Sequence, residues 1–206
     1  MTKTASVIVA VAAMLVGYTH AAYADISSGR AALEAGNYSL ARREFEQAIA
    51  QGNYEGQYWI ARLYDLGYGV KRDPERAFKM MKDAAEKGVI LAERRLGEMY
   101  RDGYGVLQNY PNARMWLDAA ATDGDVVAQR ELGKLYAGAT DIPADPIRAY
   151  AWLDVAGRSG DQAAIDQRAK LAKSMSPDDI KVADALAGSF AATIAMRSGP
   201  SGASDQ

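Results

Sequence analysis

Apolar residues recur along this chain with the spacing of α-helices, and the helical segments themselves recur every 36 residues. Tyr64, Tyr100 and Tyr136 lie 36 residues apart, each at the end of an apolar stripe. Three further columns repeat at the same interval: Ala77, Ala113 and Ala149; Gly88, Gly124 and Gly160; and Ala92, Ala128 and Ala164. Because four independent columns keep one register, the pattern indicates three copies of an internal repeat.

Each repeat is predicted to be a helical hairpin. In the middle copy, Ala92, Leu96 and Tyr100 fall at i, i+4 and i+8, on one face of a first helix. Gly103 and Gly105 end that helix, because glycine accepts the positive φ of a tight turn. The second helix begins at an N-cap residue and ends at a glycine in every copy: Asp73, Asn109 and Asp145 begin it, and Gly88, Gly124 and Gly160 end it.

The repeats also set the predicted boundaries along the chain. A helical pair cannot bury its apolar face alone, so we expect further helices to cover the open end of the stack. Ser176 as N-cap and Pro177 at the first helical position open the last of them. The predicted segments are a variant N-terminal hairpin (25–54), three repeats (55–90, 91–126 and 127–162, together 55–162), C-terminal capping helices (163–196) and a disordered tail (197–206).

The first 24 residues carry the features of a cleaved secretory signal peptide. Lys3 supplies a positive charge, residues 7–16 form an apolar run, and Ala22 and Ala24 form a small-x-small cleavage site. We therefore expect cleavage after Ala24 and a periplasmic or secreted protein with no membrane span after cleavage. The alternative is an uncleaved anchor, but the apolar run is shorter than the roughly 20 residues that a spanning helix needs.

Composition removes most kinds of active site. The chain of 206 residues has no cysteine and a single histidine, His20, which lies in the predicted signal peptide. The mature chain therefore lacks thiolate nucleophiles, Cys ligands and His-based proton transfer, and we expect no enzyme activity, metal or cofactor. Asp178 and Asp179 are adjacent acids, but acids in the first turn of a helix are simply stabilising. A net charge of −2 gives no field that would attract nucleic acid.

The repeat resembles the Sel-one-like repeat, a branch of the tetratricopeptide-repeat superfamily. The resemblance lies in a Leu-Gly-x-x-Tyr helix, a Gly-x-Gly-Val loop and an Ala-x-x-Trp tail, here at 96–100, 103–106 and 113–116. It implies a right-handed, all-α solenoid of helix-turn-helix repeats that serves as a protein-binding scaffold. It also implies that Gly97 and Gly133 are points of close contact between helices. In a bacterial envelope, such an adaptor would regulate a signalling, polysaccharide, secretion or motility complex.

The candidate partner-binding surface is the side of the first helices opposite the apolar stripe, which we name the first-helix face. In a helical-repeat stack this side lines the concave surface, and here it carries six basic residues against three acids. Aromatic and arginine side chains dominate binding hot spots, so we expect an acidic partner segment, extended or helical, in this groove. The predicted groove residues are Tyr58, Trp59, Arg62, Arg94, Arg95, Arg101, Arg130 and Lys134.

The alternative is that these charges form a ladder of ion pairs between repeats. Glu98 would then face Lys134, and Arg95 would face Glu131, although exposed pairs of this kind stabilise by only ~0–1 kcal/mol each. Two other functions stay open beside the scaffold. One is a structural spacer, and the other is an envelope carbohydrate-active or hydrolytic enzyme that uses groove carboxylates and aromatics.

The other aromatic residues divide into two groups. Tyr68 and Tyr104 lie between loop glycines and are secondary binding candidates, either as exposed aromatics or as lids on their hairpins. The second group ends apolar stripes or occupies packing columns, and is predicted to be core: Tyr64, Tyr100, Tyr136, Trp116 and Trp152.

Overall fold

The computed structural model describes residues 26–138 and 143–199, and in these ranges the chain has ten α-helices and no β-strand. The predicted signal peptide with its cleavage site, the loop at 139–142 and the chain end from 200 lie outside the described residues. The all-α fold predicted from the repeat is confirmed. The helices are α1 (Ile26–Glu34), α2 (Tyr38–Ala50), α3 (Glu55–Leu66), α4 (Pro74–Ala85), α5 (Ile90–Asp102), α6 (Tyr110–Thr122), α7 (Val126–Tyr136), α8 (Pro146–Arg158), α9 (Gln162–Ala172) and α10 (Pro177–Ser198).

The helices form two compact units, which we describe separately. The first unit ends at Asp73 and contains α1 to α3, and the second begins at Pro74 and contains α4 to α10. None of the helices described has both the length and the apolar character that crossing a bilayer requires.

The first unit is built around one face of α2. Ala41, Phe45 and Ala48 lie on that face at i, i+4 and i+7, and all three are fully buried between α1 and α3. Gly56 begins α3 against this face, because a Cβ at position 56 would lie only 2.5 Å from the carbonyl oxygen of Phe45. Helix α3 of the first repeat therefore packs tightly against α2 of the N-terminal hairpin.

In the second unit, α4 to α9 pack in succession, each helix against the next. Two glycines bring the paired helices of a repeat together. A Cβ at Gly97 would lie 2.7 Å from Cγ of Leu117, and a Cβ at Gly133 would lie 2.7 Å from Cγ of Leu153. The expectation that these glycines are points of close helix contact is therefore confirmed.

The helix ends follow the predicted local signals. The side chain of Asn109 accepts a hydrogen bond from the backbone N–H of Asn112 at 2.9 Å, and Asp145 accepts one from Arg148 at 2.9 Å. Gly103 ends α5 in the left-handed conformation with φ 67°. Local chemistry thus sets where these helices begin and end.

Most predicted core aromatics are buried. Tyr64, Tyr136 and Trp152 are buried as expected. Tyr100 and Trp116 are half-buried, and Tyr100 packs against the same cluster as Tyr136. Both half-buried rings belong to the middle repeat.

The last helix, α10, lies along α8, and its end reaches α6. The ring of Phe190 stacks on Trp152 with centroids 4.2 Å apart, and Arg197 donates to Asp123 at 2.5 Å. Ser176 caps the helix as predicted, since its hydroxyl oxygen accepts the N–H of Asp179 at 3.1 Å. We expected this helix to cover the open end of the stack. It folds back on the second helices of two repeats because its apolar side chains pack against theirs.

Candidate functional site

In the first unit, the predicted groove aromatics are held by their neighbours on α1, α2 and α3. Trp59 is half-buried and stacks on Phe45 with centroids 5.9 Å apart, and its indole N–H donates to Glu55 at 3.0 Å. The guanidinium of Arg30 lies 5.4 Å from the centroid of the same ring. Tyr58 meets Trp59 edge-on at 5.2 Å and is only 5 % exposed, so the expectation of an exposed ring at position 58 is wrong.

Tyr68 and Arg62 complete the predicted set in this unit. Tyr68 stacks on Tyr38 with centroids 5.1 Å apart and stays 40 % exposed. It is thus a partly exposed ring that covers Tyr38 of the preceding, N-terminal hairpin. Arg62 on α3 is half-buried.

In the second unit, the first-helix face brings Arg94, Arg95 and Arg101 of α5 beside Arg130 and Lys134 of α7. All five side chains are at least partly exposed, and all five form ion pairs. The sequence predicts that these cations share one face, and the contact of Arg101 with Glu131 joins α5 to α7 there. The cations are not free, however, and their partners decide what the face can do.

Two of the pairs join consecutive repeats in the same way. Arg94 lies 3.6 Å from Asp125, and Arg130 pairs with Asp161. Each aspartate is the N-cap of the next first helix, and each also accepts the backbone N–H of the third residue beyond it. Sequence reasoning missed both acids because they lie 31 residues beyond their arginines, at helix starts and not on the face. The signal for them was the equal spacing of the two Arg–Asp pairs.

Glu131 is the centre of the remaining network. This buried carboxylate accepts hydrogen bonds from Arg101 at 2.5 Å, Lys134 at 2.7 Å and Arg130 at 3.4 Å. The hydrogen bond to Asp102, and then the charge of Glu131, raise the pKa of Arg101 against the effect of its burial. Three cations therefore share one carboxylate.

The predicted ladder exists with different partners. Arg95 pairs with Glu98 on its own helix at 3.1 Å, and Arg101 bridges to Glu131. The Arg95 guanidinium also lies 5.4 Å from the ring centroid of Tyr104, which is half-buried. Five acids face the five cations in this unit: Glu98, Asp102, Asp125, Glu131 and Asp161. The surplus of positive charge expected on α5 and α7 is therefore compensated.

A further set of face residues lies on α9 and at its C-cap, one repeat beyond those predicted. Gln167, Lys170 and Lys173 stand 36 residues after Glu131, Lys134 and Ala137. No carboxylate within the described ranges forms an ion pair with Lys170 or Lys173. The 36-residue period would have found these lysines, because Ala164 on the same helix keeps the register of Ala92 and Ala128.

The adjacent acids at the start of α10 belong to its cap. The hydroxyl of Ser176 donates to Asp179 at 2.7 Å, and Asp178 follows Pro177 in the first turn. In the parts of the chain that the structure describes, no three His, Cys, Asp or Glu side chains are grouped as metal ligands would be.

Comparisons with known proteins identify the repeat. A model of the Sel1 repeat family matches residues 55–89, 90–125 and 126–161. One similar solved structure is c5321, a protective antigen of uropathogenic Escherichia coli with an SLR fold. The two sequences are 23 % identical, and the match covers 78 % of this chain and 42 % of that protein, with a TM-score of 0.59.

A second similar structure is a Sel1 repeat protein from Oxalobacter formigenes, 28 % identical, with a TM-score of 0.65. The match covers 70 % of this chain and 59 % of that one. The chain therefore spans less than two thirds of either protein. No curated protein matches its sequence.

Proposed function

Because the chain belongs to the Sel1 repeat family, whose members are generally protein-interaction scaffolds, we propose that it is a non-enzymatic adaptor that binds an acidic segment of a partner protein. The single observation that carries this proposal is the row of partly exposed cations on the adjacent helices α5, α7 and α9. Arginine and lysine side chains aligned along a repeat surface attract acidic segments and orient them.

The ion pairs described above set the conditions under which such a segment binds. A partner carboxylate must share or displace the acids that already contact Arg94, Arg101 and Arg130. Exchange of one carboxylate for another yields little net energy, so the partner gains mainly orientation and association rate from this part of the face. Binding should weaken as salt rises, because partly exposed charges are screened over ~10 Å at 0.1 M ionic strength.

We place this function in the envelope or outside the cell. The support is the charged start at Lys3, the apolar run at 7–16 and the cleavage site that ends at Ala24. An exported scaffold without cysteine depends on packing alone for its stability, which fits the close helix contacts at Gly97 and Gly133.

The test is site-specific crosslinking of the exported full chain. A photo-crosslinking residue at position 95 should capture a partner protein, and the same residue at exposed position 79 of α4 should not. The captured partner is then titrated against the double variant Arg94→Gln and Arg101→Gln and against the control Lys79→Gln and Lys82→Gln. We expect association about tenfold slower for the first variant and unchanged for the control. Equal rates for a folded double variant would contradict the proposal.

A structural spacer is the second candidate, and the compensated ion pairs favour it. If Arg94, Arg101 and Arg130 serve only to hold neighbouring repeats together, neutralising them lowers the melting temperature and leaves all binding unchanged. The crosslinking experiment separates the two functions, because a spacer yields no specific adduct at position 95.

A further inference from the structure

Two clefts lie on the first-helix face of the second unit, and several of their lining residues occupy equivalent positions 36 residues apart in the sequence. The polar cleft, of about 590 Å³, is lined by Arg101, Asp102, Gln108, Tyr110, Glu131, Lys134 and Leu135. The apolar cleft, of about 390 Å³, is lined by Lys134, Ala137, Leu153, Gln167, Lys170, Leu171 and Ser174. Lys134 lines both clefts.

Equivalent positions in the two clefts carry different chemistry. Where the polar cleft has Arg101, the apolar cleft has Ala137, and where the polar cleft has Glu131, the apolar cleft has Gln167. The arginine lines the first cleft and is neutralised by the glutamate at 2.5 Å. The smaller alanine lets the second cleft extend down to Leu153, which is itself buried and forms the floor, and the glutamine brings no charge to balance a lysine. The first cleft is thus lined by charges that neutralise each other, and the second is apolar and basic.

Both lysines of the apolar cleft can pair with carboxylates of a partner. Lys170 is exposed and forms no ion pair with any described residue. Lys134 is 41 % exposed and pairs with Glu131, which keeps two arginine partners when Lys134 turns away. Moving Lys134 to a partner's carboxylate therefore leaves no buried charge alone, which is the usual cost of breaking such a network.

We propose that the apolar cleft is the anchor point of the partner, and that it takes an apolar side chain with acidic residues on both sides. The apolar side chain packs on Leu153 and Leu171, and the flanking carboxylates pair with Lys134 and Lys170. The volume lies at the small end of ligand sites, which suits one or two side chains and not a ligand that is enclosed whole. The inference rests on the proposed function and selects which part of the first-helix face supplies affinity.

The test uses labelled synthetic peptides and the full chain. The probe has the core Glu-Glu-Leu-Glu-Glu, and the matched probe has Gly in place of Leu. By fluorescence anisotropy at low salt, the Leu peptide should bind about tenfold more tightly than the Gly peptide. Lys170→Glu should weaken the Leu peptide about tenfold, and the control Lys79→Glu should not change it. Equal binding of the two peptides, or no binding below about 1 mM, would overturn the proposal.

A second variant gives the apolar cleft the charged residues of the polar cleft. Ala137→Arg with Gln167→Glu gives the apolar cleft the residues of the polar cleft, and it should abolish binding of the Leu peptide. Both positions lie on the surface, and unchanged thermal unfolding shows that the variant is folded. If the crosslinked partner is lost with Arg94→Gln and Arg101→Gln but not with Lys170→Glu, only the anchor is wrong. If neither variant affects that partner, the proposed function fails as well.

Discussion

Helices α6 and α8 occupy the same place in consecutive repeats, and their surroundings differ. Helix α6 buries one face only, with Ala113, Leu117, Ala120 and Ala121. Helix α8 buries every residue from 149 to 156, because α10 covers Ala151 and Val155 while α9 covers Leu153 and Ala156. A repeat therefore keeps the apolar residues of its inner face from copy to copy. The side chains on its outer face differ according to whether another helix packs on them.

The outer residues of α8 differ from those of α6 in the way that burial under α10 requires. Met115 on α6 is 54 % exposed, and its equivalent on α8 is Ala151, which is fully buried under α10. Arg114 is likewise replaced by Tyr150, which burial and then the nearby Asp184 of α10 give a raised pKa. Alanine and tyrosine at these positions let α10 approach, where the longer methionine and arginine side chains would hold it away.

The two tryptophans give the largest expected difference between the repeats. Trp152→Ala removes a buried ring that stacks on Phe190, so we expect the free energy of unfolding to fall by about 3–5 kcal/mol. Trp116→Ala removes a half-buried ring and should cost roughly half as much. Urea denaturation of the full chain measures both values. Equal losses would show that α10 contributes nothing to the stability of the third repeat.

Exchanging the outer residues of the two helices should produce a smaller effect. Ala151→Met places the side chain of the middle repeat under α10, and overpacking should destabilise the chain by about 1–3 kcal/mol. Met115→Ala changes only an exposed position and should stay within about 0.5 kcal/mol of the wild type. Thermal unfolding compares the two variants. A neutral Ala151→Met would mean that α10 is loosely held on α8.

The sequence predicted the features that depend on neighbouring residues. The helix ends at Asn109 and Gly103 follow from local backbone chemistry, the close contact at Gly97 is implied by the resemblance to the repeat family, and all are confirmed. It did not predict which cations pair with which acids, because Arg94 meets an N-cap 31 residues away. It also missed the burial of Tyr58 and the position of α10, since both depend on packing between helices that periodicity does not specify.

A buried glutamate offers the last and smallest comparison of the two repeats. Glu93 on α5 is 6 % exposed, and its Oε2 has no hydrogen-bond partner among the described residues. Burial raises the pKa of Glu93, the charge of Asp123 raises it further, and Arg197 lowers it. In the next repeat the equivalent residue is Gln129, whose side-chain amide donates to the carbonyl of Ala121 at 3.1 Å.

Glu93→Gln should therefore place in the middle repeat the same uncharged side-chain amide that Gln129 provides in the next repeat. Because the pKa of Glu93 is raised in the folded state, its contribution to stability is present below the ordinary glutamate pKa and is lost as pH rises through the higher value. At pH 7 the variant should be more stable by about 1 kcal/mol, as its amide reaches the carbonyl of Ala85. Urea denaturation at several pH values from about 4 to 8 should show the gain disappear toward acid. A loss of stability at pH 7 would mean that the attraction between Glu93 and Arg197 outweighs the cost of burying the carboxylate.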